Sequence, residues 1–148
     1  MSIDDADSLL EMQKICFSPH LKQYQDFETS PVMVNIDRLK WQIENENFYK
    51  IIFDDSWVGA INIRQVDSNG NYKLHIVYVL PEFQNEHIGQ SAIKLAESLF
   101  SDAKTWCLET IEDMPYNRHV YERIGYQLTG ETKEINEKLT LVYYRKGV

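Results

Sequence analysis

Along the chain, apolar positions first recur at helical spacing and then, from Phe48 onward, in short runs of β-branched and aromatic residues. Between Asp4 and Phe17, residues Ala6, Leu9, Leu10, Met12, Gln13 and Phe17 line up on one helical side. The pattern stops before Ser18-Pro19 and predicts a first helix there. Lys22 to Val34, with Tyr24, Phe27 and Pro31, reads as irregular. Asn35 is a good cap for a second helix running to about Glu46. Three strands follow, Phe48 to Phe53, Trp57 to Val66 and Tyr72 to Leu80. The turn formers Asp54-Asp55-Ser56 and Asp67-Ser68-Asn69-Gly70 separate them, which predicts an antiparallel meander. Pro81 ends the third strand. An amphipathic helix is expected from Ile88 to Asp102, with Ile88, Ala92, Leu95, Ala96, Leu99 and Phe100 on its apolar side. The next strand, Thr105 to Thr110, should run parallel to the third, because a strand–helix–strand crossover places it so. A short helix around Arg118 to Ile124 stops at Gly125, and strands Tyr126 to Thr132 and Lys138 to Lys146 close the chain.

Composition narrows the class. A chain of 148 residues, 43% hydrophobic, suits one domain spanning residues 1–148, with no repeat, low-complexity tract or linker to divide it. The 23 acidic residues outnumber 15 Lys plus Arg, giving a formal charge of −8. This argues against a nucleic-acid partner, whose phosphates need neutralising, and mildly favours cationic partners such as amines. No run approaches the roughly 20 apolar residues of a membrane span. The N-terminus is acidic rather than signal-like, so no membrane partner and a cytoplasmic location are expected. Cys16 and Cys107 lack the close spacing of a metal site and are expected to be buried free thiols.

The most informative stretch runs from Val77 to Ala92. A strand passes into the polar loop Gln84-Asn85-Glu86-His87 and then into a helix from Ile88 whose first turn holds Gly89, Ser91 and Ala92, with Gln90 between them. The unpaired amides of such a turn, with small side chains around them, suit an anion such as a diphosphate. Most strand–loop–helix joints nevertheless bind nothing, so the loop by itself is a weak signal.

Leu80-Pro81-Glu82-Phe83, Gln84 and Gly89 together resemble motif A of the GNAT superfamily of acetyl-CoA-dependent N-acetyltransferases, in which backbone amides hold the CoA pyrophosphate. His87 stands where the family usually has its middle glycine, a departure that costs little if its backbone is ordinary. Downstream, Tyr121-Glu122-Arg123-Ile124-Gly125-Tyr126 resembles the family's motif B signature. Met114 occupies the usual asparagine position seven residues before that tyrosine, and Asn117 lies four before it. Asn117 is then either a pantetheine contact or the cap of its helix.

The resemblance covers roughly residues 48–146 and implies an α+β GNAT fold. That fold is a central mixed, mostly antiparallel sheet of six to seven strands, flanked by about four helices, with splayed parallel strands at its centre. The family's usual first strand would have to fit into Met1 to Ile3. The resemblance further implies transfer of an acetyl group from acetyl-CoA to an amine, Val77 and Val79 along the pantetheine arm, a Val79 amide for the thioester oxygen, and Tyr121 as acid at the sulfur. No metal is implied. A base or a water chain must deprotonate the amine. Strand alternation puts His75 and Lys73 on the face of Val77 and Val79, which makes His75 a candidate, with Glu109 and Glu28 as competitors. Tyr143 and Tyr144, read as exposed aromatics, would suit a homodimer. A GNAT-like domain binding acyl-CoA without turnover, and an α+β domain with a fortuitous loop, are the alternatives.

Overall fold

The computed structural model describes residues 1–24, 33–84 and 87–147. Helices α1 (Ala6–Tyr24) and α2 (Ile36–Asn45) precede strands β1 (Asn47–Phe53), β2 (Ser56–Gln65) and β3 (Asn71–Val79). Helix α3 (Ile88–Ser98) leads to β4 (Thr105–Ile111), and helix α4 (Pro115–Arg123) to β5 (Gln127–Asn136) and β6 (Leu139–Gly147). The six strands form one sheet in the order β1-β2-β3-β4-β6-β5, antiparallel at every junction except β3 with β4. This is the mixed α+β architecture expected, with six strands and four helices among the described residues. Met1 to Ile3 supplies no strand; Ile3–Asp5 is a single helical turn leading into α1.

Local chemistry explains most boundaries. Asn35 Oδ1 accepts from Arg38 N at 2.8 Å, which is the expected cap of α2. Gly125, at φ 104°, stops α4 in a backbone region that disfavours any side chain. Three expectations about α1, α3 and β6 need correction. First, α1 does not stop before Pro19 but continues through it to Tyr24. Proline removes one helical hydrogen bond, to the carbonyl of Ile15, on a turn whose side chains at Ile15 and Pro19 are exposed, so the loss is not a buried one. Second, α3 ends at Ser98, and its packed face turns toward Ile93: Ile88, Ile93 and Ala96 are buried, whereas Leu95 and Leu99 are 70% and 61% exposed. Third, Tyr144 is wholly buried. Its hydroxyl accepts from Arg118 Nε at 3.0 Å and donates to Glu122 Oε2 at 3.1 Å. Tyr143 is half-buried, so the pair is not the exposed aromatic patch expected.

The sheet separates two cores. Under α3 and α4 lie Ile61, Ile63, Leu74, Ile93, Trp106 and Tyr144, among others. Under α1 and α2 lie Leu9, Met12, Leu39, Phe48, Ala60 and Tyr78. Each fully buried aliphatic, such as Ile63, contributes about 1.5–3 kcal/mol relative to exposure. β3 supplies both cores, and its register explains how. Leu74 pairs with Ile63 and Ile76 with Asn62, so His75 is an extra residue bulged out of the ladder. The bulge reverses the alternation. Tyr72 and Leu74 before it, and Val77 and Val79 after it, all pack on the α3 side. Lys73 therefore faces the other side, and the expectation that Lys73 and His75 share a face with Val77 and Val79 is corrected.

Candidate active site

β3 and β4 are joined only at their first residues, Asn71 to Thr105, Tyr72 to Trp106 and Lys73 to Cys107. Beyond these pairs the two strands part among the described residues. On the other edge of β3, Leu80 N donates to Val58 O at 2.7 Å. Antiparallel alternation then makes Ala60–Tyr78 a hydrogen-bonded pair and leaves Gly59–Val79 and Ile61–Val77 as non-bonded pairs. The peptide groups of Val77 and Val79 consequently face the opening left by β4. There the Val79 carbonyl accepts from Gln84 Nε2 at 3.1 Å and from the Cys16 thiol at 3.6 Å. The Val79 amide points the same way, with no strand to receive it.

The opening is a cleft of about 290 Å³. One wall is the start of α3, with Gln84, His87, Ile88, Gly89 and Gln90. The amides of Ile88, Gly89 and Gln90 have no acceptor within the helix, and His87 provides no side-chain cap. A Cβ on Gly89 would approach only Val79 Cγ2, at 3.9 Å. The glycine thus keeps a slot open between helix and strand, and amides without a partner inside the helix, at its positive end, fit an anionic group. Ser91 is exposed, and its amide is used within the helix, donating to His87 O at 3.1 Å. It does not line the cleft. His87 itself is left-handed, at φ 58° and ψ 19°. The condition under which it could replace the family's glycine at no cost is not met, and the strain is about 1 kcal/mol.

The facing wall belongs to α4: Met114, Asn117, Val120 and Tyr121. Asn117 does not cap this helix; Met114 stands at the cap position without a side-chain cap hydrogen bond, and Asn117 lies in the first turn with Nδ2 donating to Met114 Sδ at 3.8 Å. Tyr121 is braced edge-on to Tyr126, ring centroids 6.3 Å apart, and burial pushes its phenol up to about 12. It stays protonated across the neutral range.

Not every expected residue reaches this cleft. Neither His75 nor Glu109 lines it. Burial holds the His75 imidazole down to about 3, helped by the charges of Arg64, Lys73 and Arg38, so it is neutral at pH 7 and a feeble base. Glu109 is held by Lys73 Nζ at 2.5 Å. Glu28, Asn85 and Glu86 lie outside the described residues. Conversely, Cys16, Phe17 and Tyr78 line the cleft without having been anticipated as site residues. They belong to the core on the α1 side, so the cleft passes through the sheet from one face to the other. Only the docking of α1 across the end of β3 brings them there, and no motif could have announced it. Burial pushes the Cys16 thiol up to about 11, so it is a neutral wall group. The described residues hold no cluster of metal-ligating side chains and no helix long and apolar enough to cross a membrane.

Comparison with known proteins agrees with this architecture. An acetyltransferase from Thermus thermophilus superposes with a TM-score of 0.77 at 12% identity, covering 100% of this chain and 94% of that one. PaiA N-acetyltransferase from Thermoplasma acidophilum, in complex with coenzyme A, gives 0.71 at 15% identity, covering 100% and 96%. A GNAT family acetyltransferase from Elizabethkingia anophelis with acetyl-CoA bound gives 0.62 at 13% identity, covering 76% and 82%. No curated protein sequence matches the chain. The family model for the acetyltransferase (GNAT) domain matches residues 19–147. With the parted β3 and β4, the cleft at the first turn of α3 and a model match over most of its length, the chain belongs to the GNAT family of acetyltransferases.

Proposed function

We propose that this acetyltransferase moves the acetyl group of acetyl-CoA to a primary amine by direct attack within a ternary complex. The observation that carries the reading is the unpaired edge of β3 beside the open N-terminus of α3. It offers a Val79 amide unpaired by β4 at one end of the cleft and, at the other, helix amides with no partner inside the helix. The relatives crystallised with coenzyme A or acetyl-CoA support the same co-substrate.

The co-substrate supplies an activated acetyl thioester. The amides of Ile88, Gly89 and Gln90 hold its diphosphate, while Val77, Val79 and Asn117 flank the pantetheine arm. The Val79 N–H meets the negative charge that develops on the carbonyl oxygen, a role that preorganised backbone donors fill well. Tyr121 Oη carries the proton for the departing sulfur, and its raised pKa keeps that proton in place until it is needed. His75 is too weak a base to take the amine's proton, and Glu109 is engaged by Lys73. Glu28 or water takes that proton, so activity rises with pH as the ammonium, near 10.4 when free, gives way to the neutral amine.

Gly89→Val tests the core of the reading. A branched side chain there fills the slot beside Val79 and should weaken CoA binding at least about ten-fold by calorimetry, with the fold retained. Equal affinity in two folded proteins would remove the diphosphate from this turn. Release of free thiol from acetyl-CoA across a panel of amines then identifies the acceptor.

A further inference from the structure

Val77, Val79, Ile88 and Tyr121 come from the α3 side of the sheet. Cys16, Phe17 and Tyr78 come from the α1 side and close the same cleft. If the diphosphate lies at α3 and the sulfur beside Tyr121, whatever extends beyond the sulfur through the sheet meets this second set. Resting on that reading, we propose that Cys16 and Phe17 of α1 form the end wall of the acyl site and limit the transferred group to a short acyl chain.

The wall is fixed rather than pliable. The Phe17 ring stands edge-on to Tyr78, with centroids 5.3 Å apart at 81°. The Tyr78 hydroxyl is turned away from the cleft, donating to the buried Gln13 Oε1 at 3.4 Å. The Cys16 thiol donates to the Val79 carbonyl, on the same residue whose amide serves the reaction. Behind them Leu9, Met12 and Leu39 are buried in one close-packed cluster, which resists displacement of α1. A two-carbon acyl group adds one methyl beyond its carbonyl. Each further methylene must displace an aromatic ring packed edge-on against Tyr78 or break the Cys16 contact. Apolar walls of this kind discriminate by about 10 to 200-fold per methylene.

The test compares acetyl-CoA with butyryl-CoA by calorimetry, which needs no knowledge of the acceptor. The parent should bind butyryl-CoA at least about ten-fold more weakly than acetyl-CoA. Phe17→Ala should reduce that difference to within about three-fold, chiefly by tightening butyryl-CoA. Because Phe17 also supports the α1 core, Cys16→Ala and Phe17→Leu provide milder openings that keep most of the packing, and each should narrow the difference in part. A parent that binds both thioesters alike, or folded variants that preserve the parent's difference, would overturn the wall while leaving the CoA cleft standing. A parent that binds neither thioester nor CoA would overturn the reading of the cleft and this inference together.

Discussion

The two halves of β3 lead different lives. Residues Asn71 to Lys73 are paired on both edges, to β2 and to β4, in the middle of a continuous sheet. Residues Ile76 to Val79 are paired on one edge only. The bulge at His75 lies at the junction, and across it the side chains exchange faces. The first half spends its peptide groups on holding the sheet together. The second keeps them available, and the chain accommodates the cost locally, through Gln84 and Cys16 on the Val79 carbonyl. An unpaired strand edge is ordinarily a liability. Placed beside the open end of a helix, it becomes a ligand cleft.

The comparison is most severely tested at Gly59, opposite Val79 on the one edge that anchors the open half. A Cβ at Gly59 would lie 2.1 Å from the Tyr78 carbonyl oxygen, a backbone atom with nowhere to go. Gly59→Ala should destabilise the protein by about 3 kcal/mol or more in denaturant unfolding, since backbone overpacking cannot be relieved by a rotamer change. A loss below about 1 kcal/mol would mean that the open half is far more compliant than its register suggests.

Tyr121→Phe removes a hydroxyl from the opposite wall and leaves the ring and its contacts with Tyr126 and Tyr144. The turnover number should fall roughly 10 to 1,000-fold, with a smaller change in KM for acetyl-CoA and little change in melting temperature. Turnover at the parent rate would reduce Tyr121 to a packing residue.

His75, at the junction, sharpens the comparison through pH. Its folded pKa is depressed to about 3 from the usual 6.5, chiefly by burial. Between these values the unfolded chain binds the proton that the folded one refuses. Its stabilising contribution is therefore complete above about pH 6.5 and is lost as pH falls toward 3. His75→Gln should flatten the stability profile in that window while leaving the pH–rate curve above it unchanged. A displaced rate curve would restore His75 as the base.

The smallest effect belongs to His87. Glycine adopts φ 58° without steric cost but is more flexible when unfolded, so His87→Gly should change stability by less than about 1 kcal/mol. CoA affinity should hold or improve slightly. A marked loss of affinity would show the imidazole touching the ligand.

Much of this architecture is written in local pattern. The meander follows from β-branched runs between Asp, Ser, Asn and Gly turns, and α2 follows from Asn35. The stop of α4 follows from Gly125, and the parallel placement of β4 from the strand–helix–strand crossover through α3. Gln84, Gly89 and Tyr121 are legible as a group through the resemblance of two short runs, Leu80 to Gly89 and Tyr121 to Tyr126, to GNAT motifs, and all three line the cleft. Where local rules compete with packing, they misled. Pro19 reads as a stop, yet α1 runs through it. Leu95 and Leu99 read as core, yet the sheet receives Ile93 instead. Strand alternation is a rule of regular ladders, and one bulged residue at His75 cancels it for everything that follows.

The sequence by itself thus determined the order of elements, the cap and turn positions and the loop that opens α3, because each depends on residues within a few positions of one another. The tertiary structure alone decided which faces of β3 meet which core, that Tyr144 is buried in a polar network, and that His75 is enclosed and neutral. It also decided that Cys16 and Phe17, far ahead of Val79 in the chain, close the cleft from the other side of the sheet. These features arise from contacts between segments distant in sequence, whose free energy comes from burial and register rather than from any local preference.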